Sequence, residues 1–485
     1  MVNKIQKKAL ISVADKSGIV PFVQSLKKLS FEIIATSGTQ KLLRENSIEA
    51  INIAEYTGGT ESERVKTLSQ RIASEILETG EIGLVVCNLY PFYAQKNKTR
   101  EEMIEYIDIG GVTLIRAAGK NYKQVGVAFD PAHYPEIIER LEKDQFDEEC
   151  RLQCAQRAFE YIAWYDGVIA EYFNKGKTER DFFTISAEKY LPMRYGENPH
   201  QPAAFYLNRL LQEQFVIYGG KQISYNNLLD AEVAFGAALE FKDDIACAVI
   251  KHQTPCGVAV GGTQEKAFIN AYEADSLSAF GGIVGLNRTV KAATAEEIKK
   301  HFFEVVIAPD YTDDALKILG TKKNLRIVEV DPALIDPIVY RPVFGGILIQ
   351  ERDTANYEKW EVVTGRSPDK DEAAALKFAW QVVKWTKSNS IVFANKDRTT
   401  GIGAGQTSRV GAVEIAARQT GERNDGIVMA SDAFFPFRDG VDVAAKAGVT
   451  AVVQPGGSKR DQEVIDACNE QNLAMIFTGM RHFRH

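Results

Sequence analysis

Several absences narrow the field before any motif is read. Nowhere in the 485 residues is there an uninterrupted apolar run long enough to span a bilayer. The opening Met-Val-Asn-Lys-Ile-Gln-Lys-Lys leads into a short strand-like run, not the apolar core of a signal peptide. A cytoplasmic protein with no membrane partner is therefore expected. An excess of positive charge is also missing. Lys and Arg number 58 against 65 Asp and Glu, a net charge of −7, which argues against broad nucleic-acid binding but leaves room for local cationic pockets. Cysteine is scarce: six, at positions 87, 150, 154, 247, 256 and 468, with no C-x-x-C pair and no histidine close in sequence to Cys150 or Cys154. That pattern favours reduced structural thiols over a disulfide framework or a metal centre. The H-x-E…P-C-x-x-C signature of zinc deaminases is absent, although Pro255-Cys256 resembles a fragment of it, so no zinc is expected.

What is present is an ordinary globular composition, 45% hydrophobic and 25% charged, on a chain too long for one core. Ala9 to Val13 reads as a strand, Ile19, Val20, Phe22, Val23 and Leu26 recur at helical spacing, and Phe31 to Ala35 reads as a second strand. Thr36-Ser-Gly-Thr39 follows, then a helical stretch from Gln40 to Arg44. Strands at Gly83 to Cys87 and Val125 to Phe129 continue a βαβα alternation, which predicts a mostly parallel sheet covered by helices. The polar stretch Asn174 to Asp181 reads as a linker. Beyond it, strands are expected around Ala246, Val305, Ile347, Ile391, Ile427, Ala451 and Met475, with a second polar divide at Gly365 to Glu372. The division expected is 1–185 and 186–485, the latter split into about 186–365 and 366–485.

Lys251 and His252 end the apolar run Ala246 to Ile250, where α/β enzymes place chemistry at a sheet edge. A neutral imidazole suits a base and an ammonium suits a developing oxyanion, while the plainer reading has both side chains capping a strand in solvent. Thr36 to Thr39, between strand and helix, suits a phosphate at a helix N-terminus or a simple helix entry. Arg64 and Lys66, with Thr67 beside them, suit a phosphate or an exposed basic face. Asn88-Leu-Tyr90-Pro follows a strand and serves a site or shapes a turn. Asp108 before Gly110-Gly111, with Arg116 and Lys120 on the following helix, reads equally as an acid–base site or a salt-bridge set. Met193 to His200 gathers Arg194, Tyr195, Asn198 and His200 in one loop. Ser224 to Asp230 offers amides able to read a carboxamide. Gly401-Ile-Gly-Ala-Gly-Gln406 is Gly-rich and precedes Arg409, but lacks dinucleotide-loop spacing. Ser431 to Asp439 brings aromatics suited to stacking a planar ring.

In this order, Arg194-Tyr-Gly-Glu-Asn-Pro-His200, Ser278-Ala-Phe-Gly-Gly282, Gly401 to Gln406, Ser431-Asp-Ala-Phe-Phe-Pro-Phe437 and Gln454-Pro-Gly-Gly-Ser458 resemble the bifunctional purine-synthesis family joining AICAR transformylase to IMP cyclohydrolase. The similarity runs from about Leu10 to His485. It implies an α/β fold: a methylglyoxal-synthase-like doubly wound domain, then two cytidine-deaminase-like subdomains without zinc, usually in an intertwined homodimer. It implies 10-formyltetrahydrofolate as co-substrate, AICAR, formyl-AICAR and IMP as ligands, and a potassium ion near Asp432. His252 is then the base and Lys251 its electrophilic helper. Arg194, Tyr195 and Arg481 match ribotide-phosphate positions, Asn227, Asp275, Arg409 and Phe434 match the AICAR pocket, and Asn389, Asp439 and His485 match positions linked to catalysis or folate. For ring closure, Lys66, Tyr90, Asp108 and Lys120 match catalytic positions, while Thr36, Ser37, Gly38, Thr39, Arg64, Thr67 and Asn88 match nucleotide contacts.

One departure from the family's pattern stands out. Ser69-Gln70 replaces its His-Pro, Glu75 replaces a Gly, and the connector to Asn88 is short. Two functions therefore fit: a two-site enzyme making IMP, or a transformylase whose N-terminal domain only binds a nucleotide.

Overall fold

Short aliphatic runs set the strands of the N-terminal region: β1 (Lys8–Val13), β2 (Glu32–Ala35), β3 (Ile51–Asn52), β4 (Leu84–Asn88) and β5 (Gly126–Ala128). In the computed structural model, which describes residues 6–59, 67–94, 98–174, 178–208 and 213–485, they form one all-parallel sheet in the order β3-β2-β1-β4-β5. Side chains alternate across it. Leu10, Ile34, Val85 and Val127 face one helical layer, and Ala9, Ile11, Ile33 and Val86 face the other. Burial on both faces explains why these strands read as continuous apolar runs. The strand order reverses between β1 and β4, which opens a crevice at their carboxyl ends.

Helices cover that sheet as the periodicity predicted, with one shift. The helix expected from Gln40 begins at Ser37, with Thr36 as its N-cap, so Ser37, Gly38 and Thr39 form the first helical turn instead of a preceding loop. By contact pattern this unit runs over Met1–Glu188, and the second over Lys189–His485.

The second unit holds two six-stranded sheets of the same design. One comprises β8 (Phe215–Ile217), β9 (Ile245–Lys251), β10 (Thr254–Gly261), β11 (Ile283–Leu286), β12 (Val305–Ala308) and β13 (Arg326–Val330), ordered β10-β9-β11-β12-β13-β8. The other comprises β16 (Glu361–Val362), β17 (Ile391–Ala394), β18 (Thr399–Gly403), β19 (Val428–Ser431), β20 (Ala451–Gln454) and β21 (Ala474–Phe477), ordered β18-β17-β19-β20-β21-β16. Each sheet is an antiparallel hairpin, three parallel strands and an antiparallel edge strand. This internal repeat was invisible as sequence similarity. The strand expected around Ile347 joins neither sheet. It pairs as β15 (Gly346–Glu351) with β14 (Ile338–Val343) in a separate hairpin, and β6 (Glu188–Pro192) pairs with β7 (Ala204–Leu207).

The repeat also explains the Gly-rich 401–406 string. Gly401 and Gly403 lie within β18, and a Cβ on either would meet the Ala416 or Ala412 carbonyl oxygen of the Arg409–Thr420 helix at 2.0 or 1.9 Å. In the first repeat Gly257 does the same for Ala271, at 2.1 Å. Helix seating, not phosphate binding, calls for these glycines.

The expected divide at Gly365 to Glu372 is fastened down. Arg366 donates through Nη1 and Nη2 to the Glu372 carboxylate at 2.8 and 2.9 Å, and Asp369 and Glu372 form a capping box for the Lys370–Val383 helix. Burial pushes the Glu372 carboxyl up, but bonds from Arg366, Thr450 and the Asp369 amide together outweigh it and pull it down to about 2. A carboxyl depressed on folding stabilises fully above its unfolded value of 4.5 and loses that contribution as pH falls towards about 2. Glu372→Gln should therefore show a melting-temperature deficit that is large at neutral pH and vanishes near pH 2. A deficit constant across that window in thermal unfolding would contradict the assignment.

Candidate functional site

In the N-terminal unit the residues of interest collect at the carboxyl ends of β1, β2 and β4. Val13 lies opposite Asn88 in the sheet. Asn88 Oδ1 accepts from the Ala14 and Asp15 amides at 2.6 and 2.9 Å, and its Nδ2 donates to Asp15 O at 3.0 Å. Its side chain is thus committed to shaping the loop after β1. That loop carries Lys16, whose Nζ donates to Thr39 Oγ1 at 2.9 Å. A cation thereby sits at the first turn of the Ser37–Glu45 helix, whose N-cap Thr36 makes no side-chain capping bond. Anions favour such a helix end, and a nearby ammonium adds to the attraction. Sequence reasoning missed Lys16.

Asp108 is organised from its backbone neighbours. Its carboxylate accepts from Gly111 N at 2.6 Å and from Tyr90 N at 3.3 Å, while its own amide donates to Tyr165 Oη at 3.0 Å. Tyr165, on the Glu148–Asn174 helix, donates in turn to Tyr106 O. Burial raises the Asp108 carboxyl pKa and outweighs these two amide bonds. The paired glycines are steric necessities. A Cβ on Gly110 would lie 2.2 Å from Thr67 Oγ1, and one on Gly111 would lie 2.9 Å from both Asp108 oxygens. Tyr90, Asp108 and Thr67 are therefore brought together at the start of the Gly110–Lys120 helix. Lys120 is not: it closes the same helix, about 15 Å of helical rise away, and is exposed. Arg116 lies against the Phe159 ring instead of the Asp108 carboxylate. Arg64 and Lys66 lie outside the described residues.

Glu75, the departure from the family's pattern, is a buried structural hub. It accepts from Tyr56 Oη at 2.5 Å and Arg71 Nε at 2.8 Å, and Lys8 Nζ donates to the same Tyr56 hydroxyl at 2.7 Å. The charge is paired within the fold by Tyr56 and Arg71.

In the second unit, Lys251 and His252 stand at the end of β9, as the apolar run implied, where the chain turns in a hairpin. Lys251 ends β9, Thr254 begins β10, and the two pair directly, so His252 and Gln253 form the whole turn. Both have left-handed φ, 55° and 60°. Lys251 Nζ donates to Phe280 O at 2.9 Å, in the Ser278–Gly282 string. The His252 and Gln253 amides donate to Asp230 Oδ2 and Oδ1 at 3.0 and 2.7 Å. His252 is exposed. Asn227 spends its amide oxygen on Ser224 N, closing a capping box on the Tyr225–Leu239 helix. Neighbouring Asn226 donates to Glu197 O, which draws the Arg194–His200 loop towards this helix. Arg194 and Arg481 are exposed, each over the ring of its neighbour Tyr195 or Phe483.

Asp275 caps the Ser276–Ala279 turn through Ser278 N and accepts from Gln419 Nε2 at 2.7 Å. Arg409 is buried. Its Nη1 donates to Ser431 Oγ at 2.8 Å and Asp432 Oδ1 at 2.6 Å, and its Nη2 donates to Asn389 Oδ1 at 2.7 Å. Ser388 Oγ donates to the other Asp432 oxygen. Breaking such a buried pair from one side costs about 3–5 kcal/mol, so Arg409 is an anchor that leaves phosphate to other cations. The C-terminal strand of chain fastens onto this cluster: Ser388 N donates to Arg484 O, and His482 N to Asp432 O, both at 2.9 Å. His485 follows, with Arg341 bonded to its carbonyl. Phe434 and Asp439 lie beyond Asp432 with exposed side chains. Asp230, Lys16, Ser388 and His482 carried no isolated sequence signal, because their roles come from partners distant in the chain.

Comparison with known proteins finds two family matches, whose junction lies inside the first unit. An MGS-like domain matches residues 18–113, and the AICARFT/IMPCHase bienzyme family matches residues 118–419. The chain is 46% identical to the bifunctional purine biosynthesis protein PurH of Caldicellulosiruptor saccharolyticus, with 99% of this chain and 100% of that protein covered. It is 45% identical to the PurH proteins of Persephonella marina and Aquifex aeolicus, with the same coverage of both chains. Shared domains in shared order over the full length leave one conclusion: the chain belongs to the AICARFT/IMPCHase bienzyme family.

Proposed function

We propose that the second unit transfers a formyl group from 10-formyltetrahydrofolate to the 5-amino group of AICAR, and that the first unit closes formyl-AICAR to IMP. The observation that carries the transfer step is the exposed His252 imidazole on a turn fixed beside Lys251. The AICAR amine is a weak nucleophile because its lone pair is conjugated with the imidazole and carboxamide. As the nitrogen attacks the formyl carbon, His252 takes its proton and the Lys251 ammonium faces the oxygen as charge develops. Collapse breaks the bond to folate N10, which leaves as tetrahydrofolate after protonation. Arg194 and Arg481 are the exposed cations for the ribotide phosphate, Tyr195 lies beside the first, and Phe434 offers a face for a planar ring. Asn389 and Arg409 stiffen the floor with Asp432, Asp275 and Asn227 hold the local helix starts, and Asp439 and His485 stand towards the folate side.

Ring closure is intramolecular, so orientation supplies much of the acceleration. The carboxamide nitrogen attacks the formyl carbon and passes one proton to the formyl oxygen. The former 5-amino nitrogen gives up its hydrogen as the C=N bond forms, and the hydroxyl departs as water on receiving a second proton. Asp108 is suited to deliver that proton, because burial keeps its carboxyl protonated to higher pH than an exposed one. Thr36, Ser37, Gly38 and Thr39 receive the phosphate with Lys16. Lys66 and Arg64 keep the roles implied by resemblance, Lys120 stands too far along its helix to share the step at Asp108, Thr67 and Tyr90 border the reacting groups, and Asn88 shapes the loop that carries Lys16.

Ser390 is the residue beside Asp432 that would help to hold a potassium ion. Ser390 Oγ is fully buried without a hydrogen-bond partner, and Asp432 N donates to Ser390 O. Oxygen donors of this kind suit a hard cation. No group of three or more His, Cys, Asp or Glu is arranged for a metal among the described residues. A homodimer is supported by Leu277 and Phe280, exposed at 89% and 64%, the second of which also accepts from Lys251 through its carbonyl. Sedimentation should give a dimer, and a monomer at assay concentrations would count against it. Six unpaired thiols are consistent with a cytoplasmic setting.

The decisive assay supplies purified protein with AICAR and 10-formyltetrahydrofolate and identifies the product. IMP is expected from the native chain, and accumulated formyl-AICAR from Asp108→Asn, with ring closure slowed at least about a hundredfold. Formyl-AICAR from the native chain would leave the first unit a nucleotide-binding module.

A further inference from the structure

We propose that Asp230 is a positioning residue for formyl transfer, holding the His252–Gln253 turn in the one backbone geometry that presents the imidazole. The inference rests on the reading of His252 as the base.

A two-residue hairpin with both φ positive is the type I′ turn, favoured by Asn-Gly because glycine and asparagine enter left-handed space easily. Here the pair is His-Gln, at 55° and 60°. Its own sequence does not specify the turn, so something outside it must. Asp230 lies on the Tyr225–Leu239 helix, 22 residues before His252, and takes the two turn amides one on each carboxylate oxygen, at 3.0 and 2.7 Å. These bonds leave the imidazole itself unengaged by the clamp. On the other side of the hairpin's end, Lys251 Nζ is fixed to Phe280 O. Backbone and lysine are each held from a different element, and the exposed ring is left to meet substrate. Lys387, which precedes Ser388, adds a favourable charge towards Asp230.

A carboxylate is the side chain that can accept two amides at once without offering a donor. Asparagine would turn its Nδ2 hydrogens against one of the N–H groups. Asp230→Asn should therefore lower kcat for formyl transfer at least tenfold while the KM for AICAR changes less than twofold. Ring closure of supplied formyl-AICAR, read on the same preparation, should stay at the native rate. Adding Gln253→Gly to Asp230→Asn should restore at least threefold in kcat, because glycine adopts the turn without help.

His252→Ala separates this inference from the reading beneath it. If His252→Ala is inactive but Asp230→Asn turns over normally, the positioning role is wrong and the base assignment survives. If both turn over normally, the base assignment itself fails. A raised AICAR KM without rescue by Gln253→Gly would mean that Asp230 acts on substrate, which also overturns the proposal. Should Asp230→Asn not fold, Asp230→Glu moves the carboxylate by one methylene with charge kept. The same selective fall in kcat is expected, and its absence refutes the clamp.

Discussion

A carboxylate withdrawn from water must have donors on its oxygens, and in this protein that requirement organises each centre. Asp108 takes Gly111 and Tyr90 amides, Asp230 takes the two turn amides at His252 and Gln253, and Asp432 takes Arg409 and Ser388. Asp230 and Asp432 reach partners 22 residues or more away, and Asp108 joins the nearby Gly111 amide to that of Tyr90, 18 residues back. The bonds therefore do what a loop's own sequence cannot, fixing segments whose conformations are intrinsically poor or multiple. Asp108 sets the entry of a helix, Asp230 a strained turn, and Asp432 the seat of the chain terminus.

The two units solve different chemical problems with different frames. In the first, one parallel sheet with a reversal between β1 and β4 brings a helix N-terminus and an acid to the same end of the strands. That suits an intramolecular dehydration, where holding phosphate and supplying a proton are the main needs. In the second, a duplicated hairpin-plus-parallel-sheet design yields two similar scaffolds that have diverged in use. The β9–β10 hairpin carries Lys251 and His252 at its turn. Around the β17–β18 hairpin of the other repeat, Arg409, Asn389 and Asp432 have become internal packing, with their polar atoms spent on one another.

Much of this was legible in the residues. Continuous apolar runs announced the parallel strands, helical spacing announced Ile19 to Leu26, and Thr36 to Thr39 was rightly set at a helix start. The shortfalls have physical reasons. His252-Gln253 carries none of the Asn or Gly that marks a tight hairpin, because Asp230 supplies the turn's specification from 22 residues away. The strand role of Gly401 and Gly403 was hidden because a strand glycine that admits a helix carbonyl leaves the same composition as a flexible turn. The commitment of Arg409 was hidden because its partners Asn389 and Asp432 are 20 and 23 residues away. Glu75 looked disruptive because Tyr56 and Lys8, which absorb it, precede it by 19 residues or more.

If two independent centres are built this way, chemistry at one should survive loss of the other. Synthetic formyl-AICAR presented to the His252→Ala protein, without any folate, isolates the first unit's reaction on the full chain. IMP should then form at the native rate. A rate that falls along with formyl transfer would contradict the assignment of ring closure to the N-terminal unit, and with it the two-centre account.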